Sequence, residues 1–269
     1  MINKINTTNI KSNQRKKILT NVSTKLYNHK HDIIRKGLDW GYLYCTKKIL
    51  ESSILNKFAQ INTLKLNSIN NIQNAARHAI ENNKKLKQSN LQIIYLNKEN
   101  FEKLPPELQK NSHVEMVKEG YNAAFLVKSN KILLPEKKMQ LSVFHEIGHA
   151  INYNCSTFWK NLFKFSQHSS TLMYSIFGAK LFNKTKTQEK SSSKKDAFIC
   201  SAVMLPNLSE EALASIKGNC SAKKLVDKDI YKKILKNNRL SFLAYIIEYG
   251  FIYITFKMIF DLKNLIQKK

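Results

Sequence analysis

His145, Glu146 and His149 stand in the order H-E-x-x-H inside the segment L-S-V-F-H-E-I-G-H-A-I-N, Leu141 to Asn152. On a helix, positions four apart lie on one face, so the two imidazoles can grip one ion. Zinc accepts neutral histidine nitrogens at about 2.0–2.1 Å, and a catalytic zinc keeps one position open for water. Glu146 follows the first histidine directly, which puts its carboxylate beside that water. There it can take a proton and later pass it to a leaving amine. The chemistry this spacing serves is hydrolysis of a peptide bond by a zinc-activated water. A surface helix with two unrelated histidines is the plainer alternative. Against it, Leu141, Phe144, Ile147, Gly148 and Ile151 form an apolar stripe at helical spacing, so the helix is partly buried. A buried histidine pair beside a glutamate needs a polar partner, and a metal ion is the simplest one.

A catalytic zinc usually takes three protein ligands. On local grounds Glu210, Glu211, Asp196 and His168 are all candidates for the third. Acidic residues also favour the first turn of a helix, and Ser209 reads as the N-cap of a helix that begins at Leu208. Tyr153 and His168 are candidates for steadying the oxyanion.

The elements that must position these groups follow from the pattern along the chain. Residues 1–30 form a basic tail, read as disordered. Residues 31–88 form a helical N-terminal region that includes one helix from Ile69 to Lys87. Residues 89–220 form the catalytic region. Its first strand is Leu91 to Leu96. A β-hairpin follows, with strands beginning at Asn122 and Lys131 around Lys128-Ser129-Asn130, just ahead of the motif helix. After the motif come two apolar runs of about 10–14 residues, joined by a basic connector at 183–195. They read as a helical hairpin over 158–206, since spanning a bilayer takes about 20 residues. Residues 221–269 give a basic helix and then the window Leu240 to Phe260, the one stretch long enough to cross a membrane despite Glu248 in its middle. The fold class is α+β, mainly α.

Composition narrows the partners. The net charge is +26, almost all from lysine; arginine occurs only at Arg15, Arg35, Arg77 and Arg239. Sequence-specific nucleic-acid readers favour arginine for bidentate contacts, so lysine charge points instead to an anionic membrane surface. Cys45, Cys155, Cys200 and Cys220 form no C-x-x-C pair, which argues against a disulfide framework and a zinc ribbon. The first residues carry no apolar run of the kind a secretory signal needs.

The order of Asn122-Ala123-x-Phe125, the H-E-x-x-H helix, an apolar hairpin, and then Glu211-x-x-Ala214 resembles the CAAX prenyl protease/HtpX group of membrane metalloproteases. Less closely it resembles the soluble ImmA/IrrE proteases. The resemblance covers about residues 120–220. It implies a minimal zincin-type, gluzincin fold in which His145, His149 and Glu211 hold Zn2+ and Glu146 is the catalytic base. It also implies that Asn122 and Ala123 bind an extended substrate along a strand. Ser215 stands where that group has an aspartate supporting a ligand histidine, which puts that support in question. The expected activity is zinc-dependent endopeptidase on a peptide or protein substrate, at a membrane with the site facing the cytoplasm. The heavier basic flank ahead of Leu240 sets that orientation. The alternatives are a lysine-rich membrane-surface protein with a relic motif, and a soluble cytoplasmic regulatory protease of the ImmA/IrrE kind.

Overall fold

The computed structural model describes residues 29–182 and 192–267, together with positions 20, 23, 24 and 27. Most of the basic tail and most of the connector at 183–195 lie outside the described residues. In chain order the elements are α1 (Lys30–Ile61), α2 (Leu66–Glu81), α3 (Lys84–Gln88), β1 (Gln92–Leu96), α4 (Lys98–Phe101), α5 (Pro106–Gln109), α6 (Ser112–Lys118), β2 (Ala124–Leu126) and β3 (Lys131–Pro135). After a 3-10 turn at Gln140–Ser142 come α7 (Val143–Cys155), α8 (Thr157–Phe182), α9 (Ser193–Ala202), α10 (Leu205–Ala222) and α11 (Lys228–Gln267). The chain is α+β and mainly α, with one small sheet.

The contacts divide the chain into two compact units. The larger one, residues 49–173 and 203–249, holds the sheet, in the order β1-β3-β2. β3 pairs in parallel with β1 and antiparallel with β2. A parallel pair needs a crossover, and here residues 97–130 supply it, carrying three short helices and β2. The central strand explains its own composition. Ile132 and Leu134 pack into the main core with Ile72, Leu86, Phe144 and Ile147. Leu133, pointing the other way, packs with Leu96, Val114 and Val117. Side chains alternate across a strand, so one buried on both faces reads as a continuous apolar run.

Four boundaries depart from the sequence reading, each for a local reason. The stretch read as one helix from Ile69 to Lys87 is two helices, because the Asn83 side chain accepts from the N–H groups of Lys85 and Leu86 and caps a new start. The run after the motif is one 26-residue helix, α8; Lys164 and His168 fall on exposed positions and do not interrupt it. α10 starts at Leu205 with Pro206 in its first turn, where the missing N–H costs nothing, so Ser209 lies inside the helix and caps nothing. The basic stretch and the apolar window after residue 221 merge into the 40-residue α11.

The smaller unit comprises the described residues within 1–48, 174–202 and 250–269. Phe177 stacks on Phe256 with ring centroids 4.3 Å apart, and Trp40 and Tyr44 gather around Phe251. Lys180 pairs with Asp196 at 2.8 Å, and Asp261 takes both Lys36 and Lys257.

Candidate metal centre

The motif helix is set in place from its N-terminal end. Gln140 is buried, and its amide donates to the carbonyls of Pro135, Glu136 and Lys138 while its oxygen accepts from Gln73. This ties the end of β3 to the first turn before α7. Two glycines then bring α7 against α10. A Cβ on Gly148 would stand 1.9 Å from the Ala214 carbonyl oxygen, and one on Gly218 would stand 2.1 Å from that of Phe144. Only hydrogen fits at either place, so the two backbones touch and the helices run antiparallel in close contact.

That contact brings three candidate ligands together. His145 Nε2 lies 3.0 Å from His149 Nε2 and 3.1 Å from Glu211 Oε2. His149 Nε2 lies 3.6 Å from the same oxygen. All three side chains are buried. A circle through these atoms has a radius of about 1.9 Å, just inside the roughly 2.0–2.1 Å at which zinc takes nitrogen and carboxylate ligands. The donor set and its spacing therefore fit a zinc ion.

The other ring nitrogens have partners as well. Glu210 lies 2.7 Å from His149 Nδ1, and Asn152 donates to the same carboxylate at 2.9 Å. Ser215 Oγ is 3.1 Å from His145 Nδ1. Such contacts hold each imidazole in one orientation and select the tautomer that leaves Nε2 free to bind. Ser215 thus gives His145 a partner of its own, a neutral hydroxyl.

Charge is arranged around the same point. Burial works to depress His149, but Glu210 and Glu211 outweigh it and hold the imidazole well above its ordinary range. Burial works to raise the Glu211 carboxyl, yet His149 and hydrogen bonds from both histidines hold it well below the usual carboxylate range. This is a pocket that favours positive charge. Glu146 differs. Burial pushes its carboxyl up, against the pull of His149 and His145 and of a hydrogen bond from the Phe125 backbone N–H. A carboxylate whose proton affinity is raised in this way suits a general base.

The remaining candidates fall elsewhere. Asp196 pairs with Lys180 in the smaller unit, and His168 is exposed. Tyr153 packs its ring against Phe125 and Phe163. Asn122 is half-buried and Ala123 buried, immediately ahead of β2. β2 is an edge strand of the sheet, the kind of position at which an extended peptide can add a strand. Two contributions escaped the sequence reading. Glu210 faces His149 rather than the ligand position; Asn152, one turn beyond His149 on the same helix, was the signal that could have shown it. Tyr245, near enough to Glu211 for the two to act on each other electrostatically, left no local signal. Comparison of the chain with protein-family models, with curated proteins and with solved structures finds no match.

Proposed function

We propose that this chain is a zinc-dependent endopeptidase of gluzincin type, associated with a membrane. One observation carries the reading: His145 Nε2, His149 Nε2 and Glu211 Oε2 lie 3.0–3.6 Å apart around one point, with the buried Glu146 beside them. His145, His149 and Glu211 would hold the ion. Zinc bound there would polarise the scissile carbonyl and lower the pKa of water towards ~7. Glu146 takes the proton of the attacking water and returns it to the amide nitrogen as the C–N bond breaks. The edge of β2, with Asn122 and Ala123 at its start, aligns an extended substrate beside that carboxylate. Phe125 and Phe163, in ring contact 6.1 Å apart, wall one side; Phe163 also packs on His149 and limits its access to water.

Metal content tests the reading most directly. The purified protein is expected to carry one zinc per chain, and His149→Ala and Glu211→Ala are each expected to lose it. A wild-type chain free of zinc after purification without chelators would remove the proposal and leave the motif a relic.

Membrane association rests on α11, the one helix among the described residues long and apolar enough to cross a bilayer by length and composition. The smaller unit adds to it, because Leu38, Trp40, Tyr42 and Tyr44 are exposed alongside Lys48, a mixture suited to an anionic headgroup layer. The basic residues ahead of Leu240 would keep the zinc helix on the cytoplasmic side. The soluble alternative draws on two features: Asn237 and Asn238 of α11 are buried and hydrogen-bonded inside the larger unit, as in a core helix, and Tyr245, inside the apolar window, lies near enough to Glu211 to act on it electrostatically. Fractionation separates the two readings. The protein is expected to pellet with membranes, to stay there in high salt and to leave with detergent. Recovery in the supernatant at low salt would favour the soluble regulatory protease.

A further inference from the structure

The outward face of α11 in the larger unit carries a pattern that the metal centre does not use. Lys228, Lys232, Lys236, Arg239, Leu243 and Ile246 follow one another at steps of four and three residues, so they lie on one face of the helix. All of them are exposed. The opposite face holds Ile230, Ile234, Asn237 and Asn238, which are buried. Asn237 Nδ2 donates to Ser142 Oγ at 3.2 Å, and Asn238 Nδ2 to Asn219 Oδ1 of α10 at 2.7 Å. Those two bonds fix the rotation of α11 about its axis, and with it the outward direction of the stripe. Glu248 follows Ile230 by about five turns, so it returns to the inward side. Between Asp229 and Glu248 the helix carries no acidic residue. Asp229 pairs with Lys232 at 3.6 Å, which leaves Lys236 and Arg239 as the cations nearest the aliphatic end.

The stripe changes character along the axis, not around it. It starts with cations and ends with Leu243 and Ile246, which expose 43% and 45% of their surface. A partner that fits must offer anions at one depth and hydrocarbon a few ångströms further on. A nucleic acid or an acidic peptide would answer the lysines and leave Leu243 and Ile246 in water. An anionic bilayer answers both. The scale agrees, since Arg239 and Leu243 are about 6 Å apart along the axis, against a headgroup layer roughly 5–8 Å deep. We propose that this face of the larger unit is a docking surface for an anionic lipid bilayer: Lys236 and Arg239 lie among the headgroup phosphates, Lys228 and Lys232 above them, and Leu243 and Ile246 in the acyl layer. Docking of this kind rests on the membrane association proposed above and needs neither zinc nor hydrolysis. It puts the bilayer boundary on the unit that holds the metal centre, between Arg239 and Leu243.

Flotation tests it. Full-length protein is synthesised without detergent in the presence of preformed vesicles and floated with them through a density gradient at about 0.15 M salt. Vesicles of phosphatidylcholine with about 30% phosphatidylglycerol should capture half of the wild type at a lipid concentration about tenfold or more below that needed with phosphatidylcholine alone. Lys236→Gln with Arg239→Gln removes two cations, each worth about fivefold at an anionic surface, so capture by the anionic vesicles should weaken by roughly 25-fold and capture by the neutral ones hardly at all. Lys103→Gln with Lys110→Gln removes the same charge from exposed positions beside α5 and should leave both captures unchanged. Leu243→Ser with Ile246→Ser should weaken capture by both kinds of vesicle by a similar factor. All three pairs alter exposed side chains, and thermal melting followed by circular dichroism should match wild type. Equal capture of wild type by the two kinds of vesicle overturns the inference and leaves membrane association standing. A loss for the Lys103 and Lys110 pair as large as that for the Lys236 and Arg239 pair overturns it too, since net charge and not this face would then decide. Unchanged capture of the Leu243 and Ile246 pair overturns it as well, because cations alone would hold the protein. Wild type that floats with neither kind of vesicle removes membrane association and docking together.

Discussion

Glu146→Gln is expected to keep its zinc and to lose peptide hydrolysis by a factor of about 10²–10⁴, the usual contribution of general acid–base catalysis. The amide preserves the size of the side chain, and its oxygen can still accept from the Phe125 backbone N–H that the carboxylate engages. The fold around α7 should therefore be unchanged. The three candidate ligand atoms belong to His145, His149 and Glu211, so the ion should remain as well. What the amide cannot do is take up a proton. Burial raises the Glu146 carboxyl, which strengthens it as an acceptor from water, and that capacity is lost entirely in the variant. The check is kcat/KM beside zinc stoichiometry on the same preparation. Hydrolysis within twofold of wild type, with zinc bound, would take the role of base away from Glu146.

Why Glu146 and the histidines can be read from sequence while other parts of the site cannot is a matter of range. The H-E-x-x-H spacing is local: helix geometry alone puts His145 and His149 on one face, and their rings are in edge contact 4.5 Å apart. The choice between Glu210 and Glu211 is different in kind. Neighbouring residues on a helix point about 100° apart, so only one of them can face the cluster. Which one does depends on how α10 lies against α7, and the Gly148 and Gly218 contacts settle that. Resemblance to E-x-x-A selected Glu211 without any physical account of what Glu210 does. Asp196 is a candidate on local grounds, as a carboxylate downstream of the motif, yet Lys180 claims it. The extent of α8 and the start of α10 are hidden for a shared reason. Charged side chains on the outer face of a helix mark no break in it, and a serine before two glutamates caps nothing once the helix has begun at Leu205. The apolar β3, by contrast, was legible because a central strand buries both faces. Tyr245 is the extreme case, since nothing within its own stretch of α11 distinguishes it from the other tyrosines there.

The glycine pair carries the second large effect. Gly148→Ala is expected to destabilise the larger unit by about 3 kcal/mol or more, at the upper end of what overpacking costs, and to abolish zinc binding in whatever fraction folds. Two terms of opposite sign compete. Alanine is the better helix former, by about 1 kcal/mol, so a glycine inside a helix usually gains from the exchange. Here the added methyl would stand 1.9 Å from the carbonyl oxygen and 2.6 Å from the carbonyl carbon of Ala214. Those are backbone atoms of a helix and cannot swing aside as the end of a side chain would. Relief requires α7 and α10 to part, and Glu211 lies one turn from Ala214 on the same helix. Moving that helix by even 1 Å takes Glu211 Oε2 out of the 3.1–3.6 Å range it holds to both histidines. Gly218→Ala should behave in the same way, since its Cβ would meet Phe144 O at 2.1 Å. Gly178 is the control: it is helical, with nothing within 4 Å of an added Cβ, so Gly178→Ala should be neutral or stabilising by up to about 1 kcal/mol. Denaturant midpoints and zinc titrations of the three variants decide the matter. If Gly148→Ala were as stable and as zinc-competent as Gly178→Ala, the close approach of α7 and α10 would be wrong, and with it the convergence of Glu211 on the histidines.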